Sequence, residues 1–206
     1  MATTNSRDFR IILGGVGGQG ILFVTRILTE AALVNGLGVF GSEIHGMAQR
    51  GGAVVSHLKI GNPLGPLVRR GTADCLIAFE ESEAYRNLDF LKKGGSCFVN
   101  CSGVGFPNNS IQPYFRKMQL RSFLLNATGF ALEGKFPFAA NLVLLGYAVA
   151  TNELPLEPMD IERIIKRESP PRLLKANLKA FQGGIEAKQK RGPKSPPNET
   201  RCLQGL

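Results

Sequence analysis

Ile11-Ile12-Leu13-Gly14-Gly15-Val16-Gly17-Gly18-Gln19-Gly20 is the stretch whose reading decides the fold. The apolar run from Phe9 to Leu13 reads as a buried strand. A glycine-rich turn follows, and a helix opens at Gly20 or Ile21. Gly15, Gly17 and Gly20 satisfy the G-x-G-x-x-G spacing, with Gly18 and Gln19 inside it. Glycine tolerates positive φ there and leaves no Cβ to block a ligand. The first N–H groups of the following helix have no intrahelical partner, and the positive end of its dipole would face an anion. The candidate phosphate contacts are therefore Gly15, Gly17, Gly18, Gln19 and Gly20. The same spacing also serves a tight strand-to-helix turn with no ligand, and the motif alone leaves both readings open.

Outward from the turn, Ile21, Val24, Ile27, Leu28, Ala31 and Ala32 share one face of a helix that runs from Ile21 to Val34. Asn35-Gly36 stops it, and Leu37 to Phe40 forms a second strand. Strand, turn, helix and strand make a βαβ unit, which calls for a parallel sheet. Gly41 to Gly52 is polar and bounded by glycine, and reads as a loop. Glu43, His45, Gln49 and Arg50 crowd into it, a set of donors and acceptors suited to an anionic or carbonyl ligand. Glu43 also stands near the end of the second strand, where a dinucleotide fold places its ribose-binding acid. A solvated exposed turn is the plainer alternative.

The alternation continues through strands at Ala53 to Ile60, Cys75 to Phe79 and Ser96 to Asn100, with a helix from Glu83 to Lys92 between the last two. Ser102 to Pro113 is read as a loop, and Leu120 to Leu125 as an edge strand. Helices are expected over Ala127 to Leu132, Phe138 to Ala150, Asp160 to Arg167 and Arg172 to about Lys188, the last capped by Ser169. The segment from 138 to 150 is too apolar to be exposed, so its Asn141 needs a partner. The expectation is an α/β fold, three layers α/β/α around a mostly parallel, Rossmann-like sheet. Residues 1–8 are expected to be a flexible N-terminus, 9–187 a single domain and 188–206 a basic, disordered tail.

The chain has 206 residues and is 43% hydrophobic, enough for one substantial core. No apolar run approaches the roughly 20 residues of a membrane span, and the polar start lacks a signal peptide, so a cytoplasmic protein is expected. The formal net charge of +9 favours acidic partners. Much of it lies in Lys188, Lys190, Arg191, Lys194 and Arg201, within a segment rich in proline. No aromatic-interleaved RNA motif accompanies these cations, and no nucleic-acid or membrane partner is expected. Cys75, Cys97, Cys101 and Cys202 match neither zinc nor ferredoxin-type spacing, and no metal is expected in this chain.

Two motifs in order, Gly15-Val16-Gly17-Gly18-Gln19-Gly20 and Glu43-Ile44-His45-Gly46-Met47-Ala48-Gln49-Arg50-Gly51-Gly52, carry a family resemblance. Ala139-Ala140-Asn141 and Asn177-Leu178-Lys179-Ala180-Phe181 extend it, so that it covers Phe9 to Gly184. The chain resembles the small (beta) subunits of the indolepyruvate ferredoxin oxidoreductases. More widely it resembles the gamma domain of the 2-oxoacid:ferredoxin oxidoreductases, which include the pyruvate and ketoisovalerate enzymes. The resemblance implies a non-autonomous subunit of an enzyme that converts a 2-oxo acid to acyl-CoA, carbon dioxide and reduced ferredoxin. It implies a large alpha-subunit partner carrying thiamine diphosphate and iron–sulfur clusters, ferredoxin as acceptor through the complex, and coenzyme A (CoA) as ligand of the assembled enzyme. The run from Met47 to Gly51 is most like the indolepyruvate branch, whose substrates are arylpyruvates. This chain would supply a phosphate cradle and an active-site-closing loop, and alone would be inactive. Two other readings stand beside it: a free-standing NAD(P)-dependent dehydrogenase resting on the glycines and Glu43, and a scaffold subunit with no ligand.

Overall fold

The computed structural model describes residues 8–45, 51–101 and 105–190. In chain order the elements are β1 (Phe9–Val16), α1 (Ile21–Val34), β2 (Gly38–His45), β3 (Ala53–Gly61), β4 (Ala73–Ala78) and α2 (Glu81–Asn87). They continue with β5 (Leu91–Asn100), α3 (Gln112–Met118), β6 (Arg121–Leu125), α4 (Ala127–Glu133), α5 (Ala140–Val149), α6 (Pro158–Glu168) and α7 (Pro171–Lys190). The strands form one sheet in the order β2-β3-β1-β4-β5-β6. β1, β4, β5 and β6 are parallel neighbours, and β3 runs antiparallel to both β1 and β2.

Side-chain alternation along the strands divides the core in two. Ile11 and Leu13 of β1, Cys75 and Ile77 of β4 and Phe98 of β5 pack on one face with residues of α1, α4, α5, α6 and α7. Ile12, Leu76, Ala78, Cys97 and Val99 pack on the other face with Ala84 of α2 and Phe115 of α3. Covered on both faces, β1 and β4 must be apolar at successive positions, hence their unbroken runs. The expected three-layer α/β/α arrangement around a mostly parallel sheet is what these residues build.

Several boundaries differ from the expectation, each for a physical reason. β1 and β2 share a direction, but β3 is inserted between them, so the first βαβ unit is not a pair of neighbours. β2 runs on through His45 instead of yielding to a loop at Gly41, because Gly41 to His45 pair in register with Leu58 to Val54. Hydrogen bonding to one neighbour outweighs the polarity of an edge strand. The helix expected at Glu83 to Lys92 ends at Asn87, and a 3-10 turn at Leu88–Phe90 leads into β5. Leu91 is fully buried opposite Ala73, and Lys92 pairs with Asp74, so this stretch is drawn into the sheet. Part of the expected loop at Ser102 to Pro113 is helical, since α3 begins at Gln112 with Pro113 in its first turn and buries Phe115. Ser169 does not cap α7. Its hydroxyl accepts from Asn177 Nδ2 at 2.9 Å, while Pro170 O accepts from Leu173 N and Leu174 N. Among the described residues no helix is long and apolar enough to cross a membrane.

Candidate functional site

β1 delivers the chain to the glycine turn at its C-terminal end. Gln19 N donates to Val16 O at 3.1 Å and Gly17 N to Gly52 O at 2.9 Å. Gly18 and Gly20 have φ of +101° and +74°, left-handed values that favour glycine, and Gly20 precedes the first residue of α1 with no side-chain cap. The glycines divide by what a Cβ would meet. At Gly15 it would lie 2.8 Å from Gln19 Oε1 and 3.0 Å from Ile21 Cδ1, and at Gly20 it would run into Asn141 Nδ2. These two serve close packing. At Gly17 the nearest atom is 3.6 Å away, and at Gly18 nothing lies within 4 Å. Packing therefore explains Gly15 and Gly20, while the backbone at Gly17 and Gly18 stays approachable.

Gln19 does not offer a free amide to a ligand. Its Oε1 accepts from Val16 N at 2.8 Å and its Nε2 donates to Glu80 Oε1 at 2.5 Å, stapling the turn to the end of β4. Asn141 finds the partner its burial demands: Nδ2 donates to Gly20 O at 3.3 Å, and Oδ1 accepts from Leu142 N at 2.8 Å. Helix α5 thereby fixes the start of α1.

Beside the turn opens a cleft of about 290 Å³, lined by Gly18 and Gln19, by Glu80 and Asn100, and by Thr128 and Phe138. It lies at the C-terminal ends of parallel strands: Phe79 and Glu80 follow β4, and Asn100 ends β5. Phe79 N donates to Gly14 O at 2.8 Å, which ties the two central strands together at the cleft floor. The helix leaving β1 packs on one face of the sheet and the helix leaving β4 on the other. That divergence makes the crevice between β1 and β4 the switch point at which open α/β sheets bind ligands. Asn100 spans the wall, donating to Phe79 O at 3.1 Å and Thr128 Oγ1 at 2.8 Å and accepting from Thr128 N at 3.2 Å.

Glu43 stands apart from this cleft. It lines a second, open cleft of about 560 Å³ with Leu22, Thr25, Arg26 and Thr29 of α1. The acid beside the glycine turn is thus not Glu43, because β3 occupies the place next to β1, and on the parallel side Glu80 follows two residues after the end of β4. His45 ends β2. Gln49 and Arg50 lie outside the described residues. Glu80, Asn100, Thr128 and Phe138 are cleft residues that the sequence reading missed. For the first two a signal existed: each is a polar residue directly after or at the end of an apolar strand. Among the described residues no cluster of three or more His, Cys, Asp or Glu could hold a metal ion. Cys75 and Cys97 are fully buried, and burial pushes both thiols up.

Comparison with known proteins adds to this geometry. The profile of the pyruvate ferredoxin/flavodoxin oxidoreductase family matches residues 10–187. The indolepyruvate oxidoreductase subunit IorB of Methanothermobacter thermautotrophicus is 36% identical over 191 residues, covering 87% of this chain and 97% of that one. The gamma subunit of a keto/oxoacid ferredoxin oxidoreductase from Geobacter sulfurreducens superposes with a TM-score of 0.68 at 25% identity, over 88% of this chain and 99% of that one. The 2-oxoglutarate:ferredoxin oxidoreductase from Magnetococcus marinus, solved with 2-oxoglutarate, coenzyme A and succinyl-CoA, has a TM-score of 0.75 at 21% identity, a likeness of fold over 97% of this chain and 34% of that one.

Proposed function

The chain belongs to the pyruvate ferredoxin/flavodoxin oxidoreductase family, and from that premise we propose that it binds the phosphates of CoA for an arylpyruvate-oxidising complex. It is a subunit of a 2-oxoacid:ferredoxin oxidoreductase. In the proposal the complex acts in the cytoplasm, a large partner subunit holds thiamine diphosphate and the iron–sulfur clusters, and ferredoxin receives the electrons. Thiamine diphosphate supplies the carbanion chemistry that releases carbon dioxide. The indolepyruvate branch is favoured by the identity to the IorB subunit.

One observation carries the CoA reading: the open backbone at Gly17 and Gly18, at the switch-point crevice and before an uncapped 14-residue helix. The Gly17 and Gln19 N–H groups are already given to Gly52 O and Val16 O, so a phosphate over Gly18 would be met by the first N–H groups of α1 and the positive end of its dipole, with no side chain in the way. The residues fit the group, since the space over Gly18 is empty and Gly17 meets its neighbours only at ordinary contact distance. The role of this chain is then to bind and orient, and with its partner to keep water from the reacting thioester. The dehydrogenase reading loses its main support, because Glu43 does not line this cleft. Arg50 is proposed to engage an anionic group at the closing loop, a task suited to its guanidinium fork. In the assembled enzyme Arg50→Ala is then expected to lower turnover or assembly while the isolated chain stays folded.

Gly17→Ala tests the cradle. Its φ is not in the positive range and a Cβ fits at 3.6 Å, so the thermal stability of the complex is expected to stay within about 1 kcal/mol of wild type. The KM for CoA in the assembled enzyme is expected to rise roughly tenfold, equivalent to about 1.4 kcal/mol. An unchanged KM with intact folding removes the cradle.

A further inference from the structure

Phe138 is 92% exposed, although its neighbours in the same turn, Phe136 and Ala139, are 5% and 3% exposed. It sits in a 3-10 turn, Pro137–Ala139, that runs directly into α5. Phe136 fills the space beside Gly134 and faces Phe130 with 6.4 Å between ring centroids. The turn is therefore anchored from beneath by Phe136, and Phe138 has no part in holding it. Folding gains nothing from a large aromatic at this position. The ring does, however, line the cleft that also holds Gly18, Gln19 and Glu80.

From this placement we infer that Phe138 is the stacking platform for the adenine base of CoA, an inference that rests on the CoA reading of the glycine turn. Three features carry it. The wall near the ring is mixed, with polar Glu80, Asn100 and Thr128 beside apolar Phe79, Pro137 and Ala140. An occupant of this space needs a flat apolar face and polar edges, and a nucleobase has both. The Glu80 carboxylate, tied to Gln19 at 2.5 Å, repels a second anion. The phosphates accordingly belong at Gly17 and Gly18, and an uncharged part of the ligand belongs between Glu80 and the ring. Finally, Pro137 restricts the backbone just before the ring, and the buried Phe136 and Ala139 bracket it. The backbone that carries the ring is thus fixed before any ligand arrives, which lowers part of the entropic cost of stacking on it.

The assembled enzyme tests the inference through the KM for CoA and the competitive inhibition constants of two fragments, 3′,5′-ADP and 4′-phosphopantetheine. Phe138→Ala is expected to raise the KM for CoA and the inhibition constant of 3′,5′-ADP roughly tenfold. The constant of 4′-phosphopantetheine, which has no base, should not move, and Phe138→Tyr should restore the wild-type values. Unchanged constants for both CoA and 3′,5′-ADP in Phe138→Ala overturn the inference. So does failure of that variant to assemble, which would make the ring a subunit contact. If Gly17→Ala weakens CoA while Phe138→Ala is silent, the phosphate cradle stands and the stacking platform falls. If both are silent, both fall.

Discussion

At the scale of single residues, two substitutions in one glycine turn should part company. Gly20 is left-handed and a Cβ there would run into Asn141, so Gly20→Ala is expected to cost at least about 1–2 kcal/mol in chemical unfolding. Gly17→Ala should cost far less. A second residue, His57, ties stability to pH. It is 2% exposed in β3, its Nδ1 accepts from Val68 N at 3.2 Å, and its ring meets Phe90 edge-on. Burial first, and then the charge of Lys59, hold its pKa below the usual value. The imidazole stays neutral in the fold while the unfolded chain takes up a proton near pH 6.5. Stability is therefore full above about pH 6.5 and falls as the pH drops towards the native pKa, by at most about 1.4 kcal/mol per pH unit. Melting curves at pH 8 and pH 5.5 should show a smaller acid loss in His57→Gln, whose amide oxygen can still accept from Val68. An equal acid loss in both proteins would assign the effect to other groups. The pairing of His57 with Val68 joins a strand to a distant connector, and no spacing in the sequence announces it.

At the scale of elements, the α5/α7 pair is the tightest contact between helices. A Cβ on Gly184 would collide with Val143 O, and one on Gly146 with Phe181 O, so the two backbones approach with no side chain between them. Gly184→Ala must push the helices apart, at a cost of about 1–3 kcal/mol, or roughly 4–8 °C in Tm for a loss of 2 kcal/mol. Differential scanning calorimetry checks it, with Met159→Ser as control. Met159 is 70% exposed, and its replacement should stay within about 0.5 kcal/mol. The apolar character of α5 was legible, since every position from Asn141 to Val149 is buried. Its glycine seam with α7 was not, because contact between remote helices leaves no local periodicity. The end of α2 shows the same limit. Acidic residues before lysines make a sound helix pattern around Glu83 to Lys92, but Leu91 and Lys92 have better partners in Ala73 and Asp74. Tertiary pairing overrides propensity there.

At the scale of the whole molecule, a subunit that only binds and orients should be silent alone. Purified chain given thiamine diphosphate, CoA and an arylpyruvate is expected to reduce no dye, and activity should appear on addition of the large subunit. Robust turnover without it would end the non-autonomous reading. The sequence by itself determined the class of fold and the family. Apolar runs long enough to be buried strands, helices with one apolar face, and two ordered motifs are local properties, written in the spacing of residues. It also located the glycine turn, because the left-handed backbone at Gly18 and Gly20 favours glycine. The tertiary structure alone decided what stands opposite that turn. Inserting β3 beside β1 moved Glu43 out of reach, and β4 brought Glu80 into its place. Asn100, Thr128 and Phe138 joined the same cleft from remote segments of the chain. Strand order and helix placement are set by the burial of two apolar faces at once, a global condition that no short stretch of sequence records.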